Sequence, residues 1–148
     1  MSKNILIIDD DEMSRGLLRM VLEYDGCHCV EAENGARGFS LFASQPFDVI
    51  ILDNAMPVMT GMEFLNRLQH HPQKSGVPVI MLTGLVNPEI REKATRLGAY
   101  AIIGKPYDFG EFRTMVAQLC SSPDSPQSVS TTPFVAAKIS QRHIPPPV

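Results

Sequence analysis

The chain lacks the marks of several protein classes. It has three cysteines in 148 residues, an odd number, and Cys27 and Cys29, two apart on a predicted strand, form no metal-ligand pattern with His28. They read as reduced thiols rather than as a disulfide framework, which points to a cytoplasmic protein. No cluster of Lys and Arg is present and the net charge is −3, against a nucleic-acid footprint. No apolar run is long enough to span a bilayer. The opening MSKNILIIDDDE has too short an apolar stretch before its acidic block to be a signal peptide.

What is present is an ordinary globular composition, 44% apolar and 20% charged, in a length that suggests one domain with some chain to spare. A domain of this size buries roughly two thirds of its unfolded surface and needs no structural metal or disulfide. Short apolar runs alternate with helical periodicity. Asn4 to Ile8 predicts a first strand, followed by a helix to about Tyr24 with Leu17, Leu18, Val21 and Leu22 inward. His28 to Ala32 predicts a weaker second strand, followed by a helix opened by Asn34-Gly35, in which Gly38 is a costly residue. Phe47 to Leu52 is the third strand, followed by a helix over 62–70. Val77 to Leu82 is the fourth strand, with a helix entered through Asn87-Pro88 and closed by Gly98. Tyr100 to Ile103 is the fifth, and Asp108 caps a last helix.

Strand and helix thus alternate five times, which means parallel βαβ units with right-handed crossovers. The two runs with apolar residues at every position, strands three and four, are expected inside the sheet and the second strand at its edge. The fold class is α/β: a flavodoxin-like, doubly wound (βα)5 domain with a five-stranded parallel sheet, order 2-1-3-4-5, over residues 1–120. From Ser121 the composition changes. Residues 121–148 hold six of the twelve prolines and eight Ser or Thr, and read as a disordered tail or linker. The one apolar patch in that tail is FVAAKI, Phe134 to Ile139.

Open α/β sheets bind ligands at the carboxyl edge of the strands, at the switch point between strands one and three. Asp9, Asp10 and Asp53 converge there, and Thr83 and Lys105 end strands four and five on the same edge. Each alone has a plain explanation, as cap, turn former or surface charge. Together they make one pocket. Three close carboxylates raise one another's pKa, and a hard divalent cation such as Mg²⁺ (or Mn²⁺) relieves the repulsion. A carboxylate beside such an ion is a competent nucleophile toward phosphorus, with Lys105 and Thr83 as donors to phosphoryl oxygens.

The motifs IIDDDE, FDVIILDNAMPVMTG, PVIMLTG and GKP, in this order and spacing, closely resemble the receiver domain of bacterial response regulators. The resemblance covers about residues 3–120. It implies that Asp53 is the phosphoacceptor, Asp10 a direct metal ligand, Asp9 a ligand acting largely through water, and the backbone carbonyl of Ala55 the last protein ligand. It also implies that Lys105 and Thr83 contact the phosphoryl group and that Lys105-Pro106 is a cis peptide. The implied donor is a histidine kinase or a phosphotransfer protein. The implied output is a downstream protein target bound on the face of helix four, strand five and helix five, with no direct nucleic-acid binding and no membrane contact. One position departs: receivers usually carry an aromatic three residues before the lysine, and here it is Ile102. Tyr100, two residues earlier, is expected on the same strand face.

Two other readings use the same residues. A phosphatase resembling the haloacid dehalogenase group also needs a strand-end Asp nucleophile, but Asp108 and Glu111 are poorly spaced for its late acidic pair. A receiver fold kept only as a binding module is supported by Ile102 alone. A single-domain regulator is preferred to the receiver fragment of a multidomain one.

Overall fold

The computed structural model describes residues 2–71 and 76–121. Its elements run β1 (Asn4–Ile8), α1 (Glu12–Tyr24), β2 (His28–Ala32), α2 (Gly35–Ser44), β3 (Val49–Asp53), α3 (Gly61–Leu68), β4 (Val79–Thr83), α4 (Pro88–Arg96), β5 (Ala101–Gly104) and α5 (Phe109–Ser121). All five strands pair in parallel in the order β2-β1-β3-β4-β5. The expected topology is therefore the observed one, with the weak second strand at an edge. The tail expected beyond Ser121 lies outside the described residues.

The continuous apolar runs have a simple cause: successive side chains point to opposite faces, and both faces are covered. Leu6, Ile8, Ile50, Leu52, Val79, Met81 and Ile102 pack with α2, α3 and α4 through Phe42, Phe64, Leu65, Leu68 and Ala94. Ile5, Ile7, Val49, Ile51, Ile80, Leu82 and Ile103 pack with α1 and α5 through Leu18, Leu22, Phe112, Met115 and Val116. Gly38, expensive by propensity, has a packing reason: a Cβ there would collide with the Ile8 side chain.

Helix starts follow cap chemistry. Asp11, Asn34 and Asn87 accept from the backbone N–H three residues on, and Pro88 sits in the first turn of α4. Thr60 and Glu63 form a capping box on α3. Its pull starts that helix at Gly61, and the helix ends at Leu68 rather than near residue 70. Strand β4 begins two residues later than the apolar run, after Pro78, which lacks an N–H for the ladder.

Three expectations need correction. Leu17 is not inward: it is 46% exposed, while Leu18 and Leu22 carry the buried face. A shift of one residue turns a side chain by ~100° round a helix, so neighbouring leucines cannot share a face. Tyr100 does not share the face of Ile102. It precedes β5 and packs with the α1/α5 side, whereas Ile102 packs with the α2/α3/α4 side, so strand alternation does not extend to it. Cys27 lies in the turn before β2 rather than on the strand.

Candidate functional site

Strands β1, β3, β4 and β5 all end at one edge, and register fixes what meets there. Ile8 pairs with Leu52, Asp53 with Leu82, and Thr83 with Gly104. One residue beyond β1 stands Asp9, at the end of β3 Asp53, at the end of β4 Thr83, and just past β5 Lys105. Asp9, Asp53 and Thr83 are 2%, 3% and 3% exposed, the three buried polar side chains among the described residues. Burial at this depth demands partners.

Lys105 supplies one: its Nζ stands 2.8 Å from Asp53 Oδ1. The Lys105-Pro106 peptide is cis. Asp9 Oδ1 accepts from the Asp11 backbone N–H at 2.9 Å, but Asp9 Oδ2 is buried with no hydrogen-bond partner. One oxygen each of Asp9, Asp10 and Asp53 lies within 4.8 Å of the others. Burial pushes the Asp9 carboxyl above its ordinary pKa, the Asp11 N–H pulls it down, and the charge of Asp53 pushes it up again. An orphaned buried oxygen among three close carboxylates is a donor set that fits a hard, oxygen-seeking divalent cation.

Thr83 Oγ1 accepts from the Leu85 N–H at 3.1 Å, and its own proton has only a long 3.4 Å contact to the Leu85 carbonyl. The hydroxyl proton is thus weakly held and free to turn to a better acceptor. Exposed Ala55 follows β3 in a loop tied by Asn54: its carbonyl accepts from Gly61 N–H at 3.0 Å and its side chain from Met62 N–H at 3.1 Å. Gly61 is required here, because a Cβ would lie 2.7 Å from the Asp53 carbonyl oxygen. In the same loop Val58 has φ +69 and is 96% exposed, inside a three-residue turn closed by Met59 N–H to Pro57 carbonyl at 2.7 Å.

Asp9, Asp10, Asp53, Ala55, Thr83 and Lys105 all lie at this edge. Ile102 lies below it in the core, and exposed Pro106 follows Lys105. Sequence reasoning missed Tyr107. Burial lifts its hydroxyl to about 12, with Asp9 and Asp53 adding to the shift, and its ring packs on Phe109 and Phe112. The signal was an aromatic two residues past the lysine.

Comparisons with known proteins agree with this geometry. The response regulator receiver domain family matches residues 5–117. The chemotaxis protein CheY of Halobacterium salinarum is 33% identical over 107 residues, covering 72% of this chain and 88% of that protein. The KDP operon transcriptional regulatory protein KdpE of Escherichia coli is 37% identical over 110 residues, covering 74% of this chain and 48% of that protein. The structure of Vibrio cholerae chemotaxis protein CheY4 matches with a TM-score of 0.76 at 28% identity, covering 80% of this chain and 99% of that one. The chain thus spans most of the length of some relatives and under half of others.

Proposed function

The chain belongs to the response regulator receiver family of two-component signalling, and we propose that within it the chain is a phosphorylatable switch whose phosphoacceptor is Asp53. The observation that carries this reading is the buried Asp53 carboxylate, paired with Lys105 and ringed by Asp9, Asp10 and Thr83. The donor is a phosphohistidine on a histidine kinase or phosphotransfer protein. A carboxylate oxygen of Asp53 forms a bond to phosphorus, the bond from phosphorus to the donor's imidazole nitrogen breaks, and the nitrogen keeps the electron pair and takes a proton.

The chain's own residues supply position and charge. Lys105, already on Asp53, follows the negative charge as it moves onto the phosphoryl oxygens. Thr83 turns its weakly held proton toward them. Asp10, Asp53, the Ala55 carbonyl and, largely through water, Asp9 would hold Mg²⁺ (or Mn²⁺), with Asp9 Oδ2 the group most in need of it. When bound, that ion neutralises the three carboxylates and the incoming phosphoryl charge. Donor displacement of the Thr83 proton from Leu85 gives the fold a route to the β4–α4 loop, and so to a binding face on α4, β5 and α5. Ile102 is a core residue on that route without the polar tip of an aromatic hydroxyl. The output is binding to a protein target, in the cytoplasm; among the described residues no helix is long and apolar enough to cross a membrane.

The test is incubation with acetyl phosphate and Mg²⁺, read as intact mass. The expected result is one added phosphoryl group, absent when Mg²⁺ is chelated. Release of inorganic phosphate from many ester substrates with no retained phosphoryl group would overturn the reading in favour of a phosphatase.

A further inference from the structure

Two thiols from distant parts of the chain share one cavity, on the side of the sheet covered by α1 and α5. Cys27 lies between α1 and β2, and its N–H donates to the Leu22 carbonyl at 3.0 Å. Cys120 lies in the last turn of α5. Lys3, Asp25, Cys27, Arg113, Val116 and Cys120 line a cavity of about 260 Å³. Arg113, Val116 and Cys120 fall at steps of three and four residues, so one face of α5 is turned toward the end of α1. Arg113 fastens that face: it reaches Asp25, the α1 C-cap, at 2.6 Å, and its guanidinium stands 5.7 Å from the centre of the Tyr24 ring.

Both cavity thiols are half-buried, whereas Cys29 is 1% exposed in the core. The cavity is several times the ~30 Å³ share of a water molecule, so a small oxidant of the peroxide class can enter. Cys27 and Cys120 also interact directly. Burial and then the charge of Asp25 raise the Cys27 thiol, and a hydrogen bond from Cys120 pulls it back down. Burial and then the charge of Cys27 raise Cys120 to about 11, with Asp48 adding to the rise and Lys3 opposing it. Cys27 is thus the thiol of the pair that gives up its proton first, and the thiolate is the reactive form.

We propose that Cys27 and Cys120 form a reversible disulfide, a redox switch that ties the end of α5 to the entry of β2. The co-reactant is hydrogen peroxide. The Cys27 thiolate attacks one peroxide oxygen, the O–O bond breaks, and the departing hydroxide takes a proton to become water. Cys120 then attacks the resulting sulfenic acid: the S–S bond forms, the S–O bond breaks, and the hydroxyl leaves as water with the Cys120 proton. Together the two thiols lose two electrons and two protons, which reduce the peroxide to water. Cytosolic disulfides are typically of this transient, redox-sensing kind. Cys120 sits at a helix end, where the backbone adjusts more readily than in a helix interior. The cross-link closes a loop of roughly 90 residues and so restricts the unfolded chain. Because α5 belongs to the binding face proposed above, oxidation reaches the output from the end of the sheet opposite the acidic pocket. That consequence rests on the proposed function; the disulfide does not.

The test treats the reduced full chain with hydrogen peroxide and reads intact mass and non-reducing peptide maps. The expected result is a monomer lighter by two hydrogens, with one new peptide pair joining Cys27 to Cys120. Cys29 should remain open to alkylation after unfolding, and dithiothreitol should reverse the change. Cys29→Ser should leave the cross-link in place, and Cys27→Ser or Cys120→Ser should abolish it. The oxidised form should unfold at a higher urea concentration than the reduced form. Added oxygen without a cross-link, a pair that includes Cys29, or a disulfide between two copies of the chain would overturn the proposal. An oxidised form that unfolds at the same or lower urea would overturn it too. No phosphoryl donor is involved, so failure here and failure of the phosphoacceptor reading are separate results.

Discussion

Lys105 Nζ lies 2.8 Å from Asp53 Oδ1, although the two residues are 52 positions apart in the chain. The contact is made by β3 and β5, which are not neighbours: β4 lies between them. Asp53 is 3% exposed and the Lys105 side chain 33% exposed, so the ammonium spans from solvent to a buried carboxylate.

Removing that ammonium should slow chemistry more than it harms the fold. Lys105→Ala is expected to reduce phosphorylation by acetyl phosphate about 10²-fold, the scale for loss of one fixed charge-stabilising donor. Rates from intact mass over time check it, with circular dichroism to confirm folding.

The carboxylates repel when no cation is present. Asp9 has a raised pKa, so the folded protein holds its proton more tightly than the unfolded chain does. Stability therefore falls as pH rises from the ordinary 3.8 through the raised value, and the penalty stays in place at neutral pH. Asp9→Asn should stabilise the metal-free protein at pH 7 by on the order of 1 kcal/mol, since burial first and then the nearby charge of Asp53 disfavour the ionised carboxyl. Urea unfolding with and without Mg²⁺ checks it: Mg²⁺ should stabilise the parent protein more than the variant, which keeps Asp10 and Asp53 but loses the repulsion the ion relieves.

Gly61 sits against the backbone of Asp53 and Asn54. A methyl group there must displace the Asp53 carbonyl or the Asn54 Cα, both 2.7 Å from the added carbon. Gly61→Ala should cost roughly 1–3 kcal/mol, as overpacking does, and should also slow phosphorylation because the strain falls on Asp53 itself. Denaturant melts and phosphorylation rates on one preparation separate the two effects.

Glu31 on β2 binds Arg15 at 2.8 Å and Arg19 at 2.9 Å on α1, and Arg15 also reaches the Asp9 carbonyl at 2.7 Å. Arg19 and then Arg15 hold the Glu31 carboxyl below its ordinary 4.5. Its contribution is in place above pH 4.5 and is lost as pH falls through the lowered value. Glu31→Gln should destabilise at pH 7 by about 1 kcal/mol, with the difference vanishing in acid. Thermal melts across that range check it.

Much of this was legible in the sequence, because strand ends carry the chemistry. A buried strand announces itself by an unbroken apolar run, and Asp53, Thr83 and Lys105 each close or follow one. The order of the strands then brings the three together with Asp9 and Asp10. What stayed hidden depends on contacts that no period encodes. Leu17 and Leu18 are equally apolar, and only packing decides which turns outward. Tyr100 lies outside β5, so strand alternation gave the wrong face. The positive φ of Val58 belongs to a loop closed by hydrogen bonds rather than to a residue type that favours it. The Arg15–Glu31–Arg19 cluster joins elements whose register is set elsewhere.

The identity of the phosphoacceptor can be read chemically. An aspartyl phosphate is cleaved by borohydride to leave homoserine, and peptide mass spectrometry locates the converted residue. After treatment with acetyl phosphate and Mg²⁺, conversion at Asp53 and at no other carboxylate is the predicted result. Conversion at Asp9 or Asp10, or full conversion elsewhere in an Asp53→Asn variant, would contradict it.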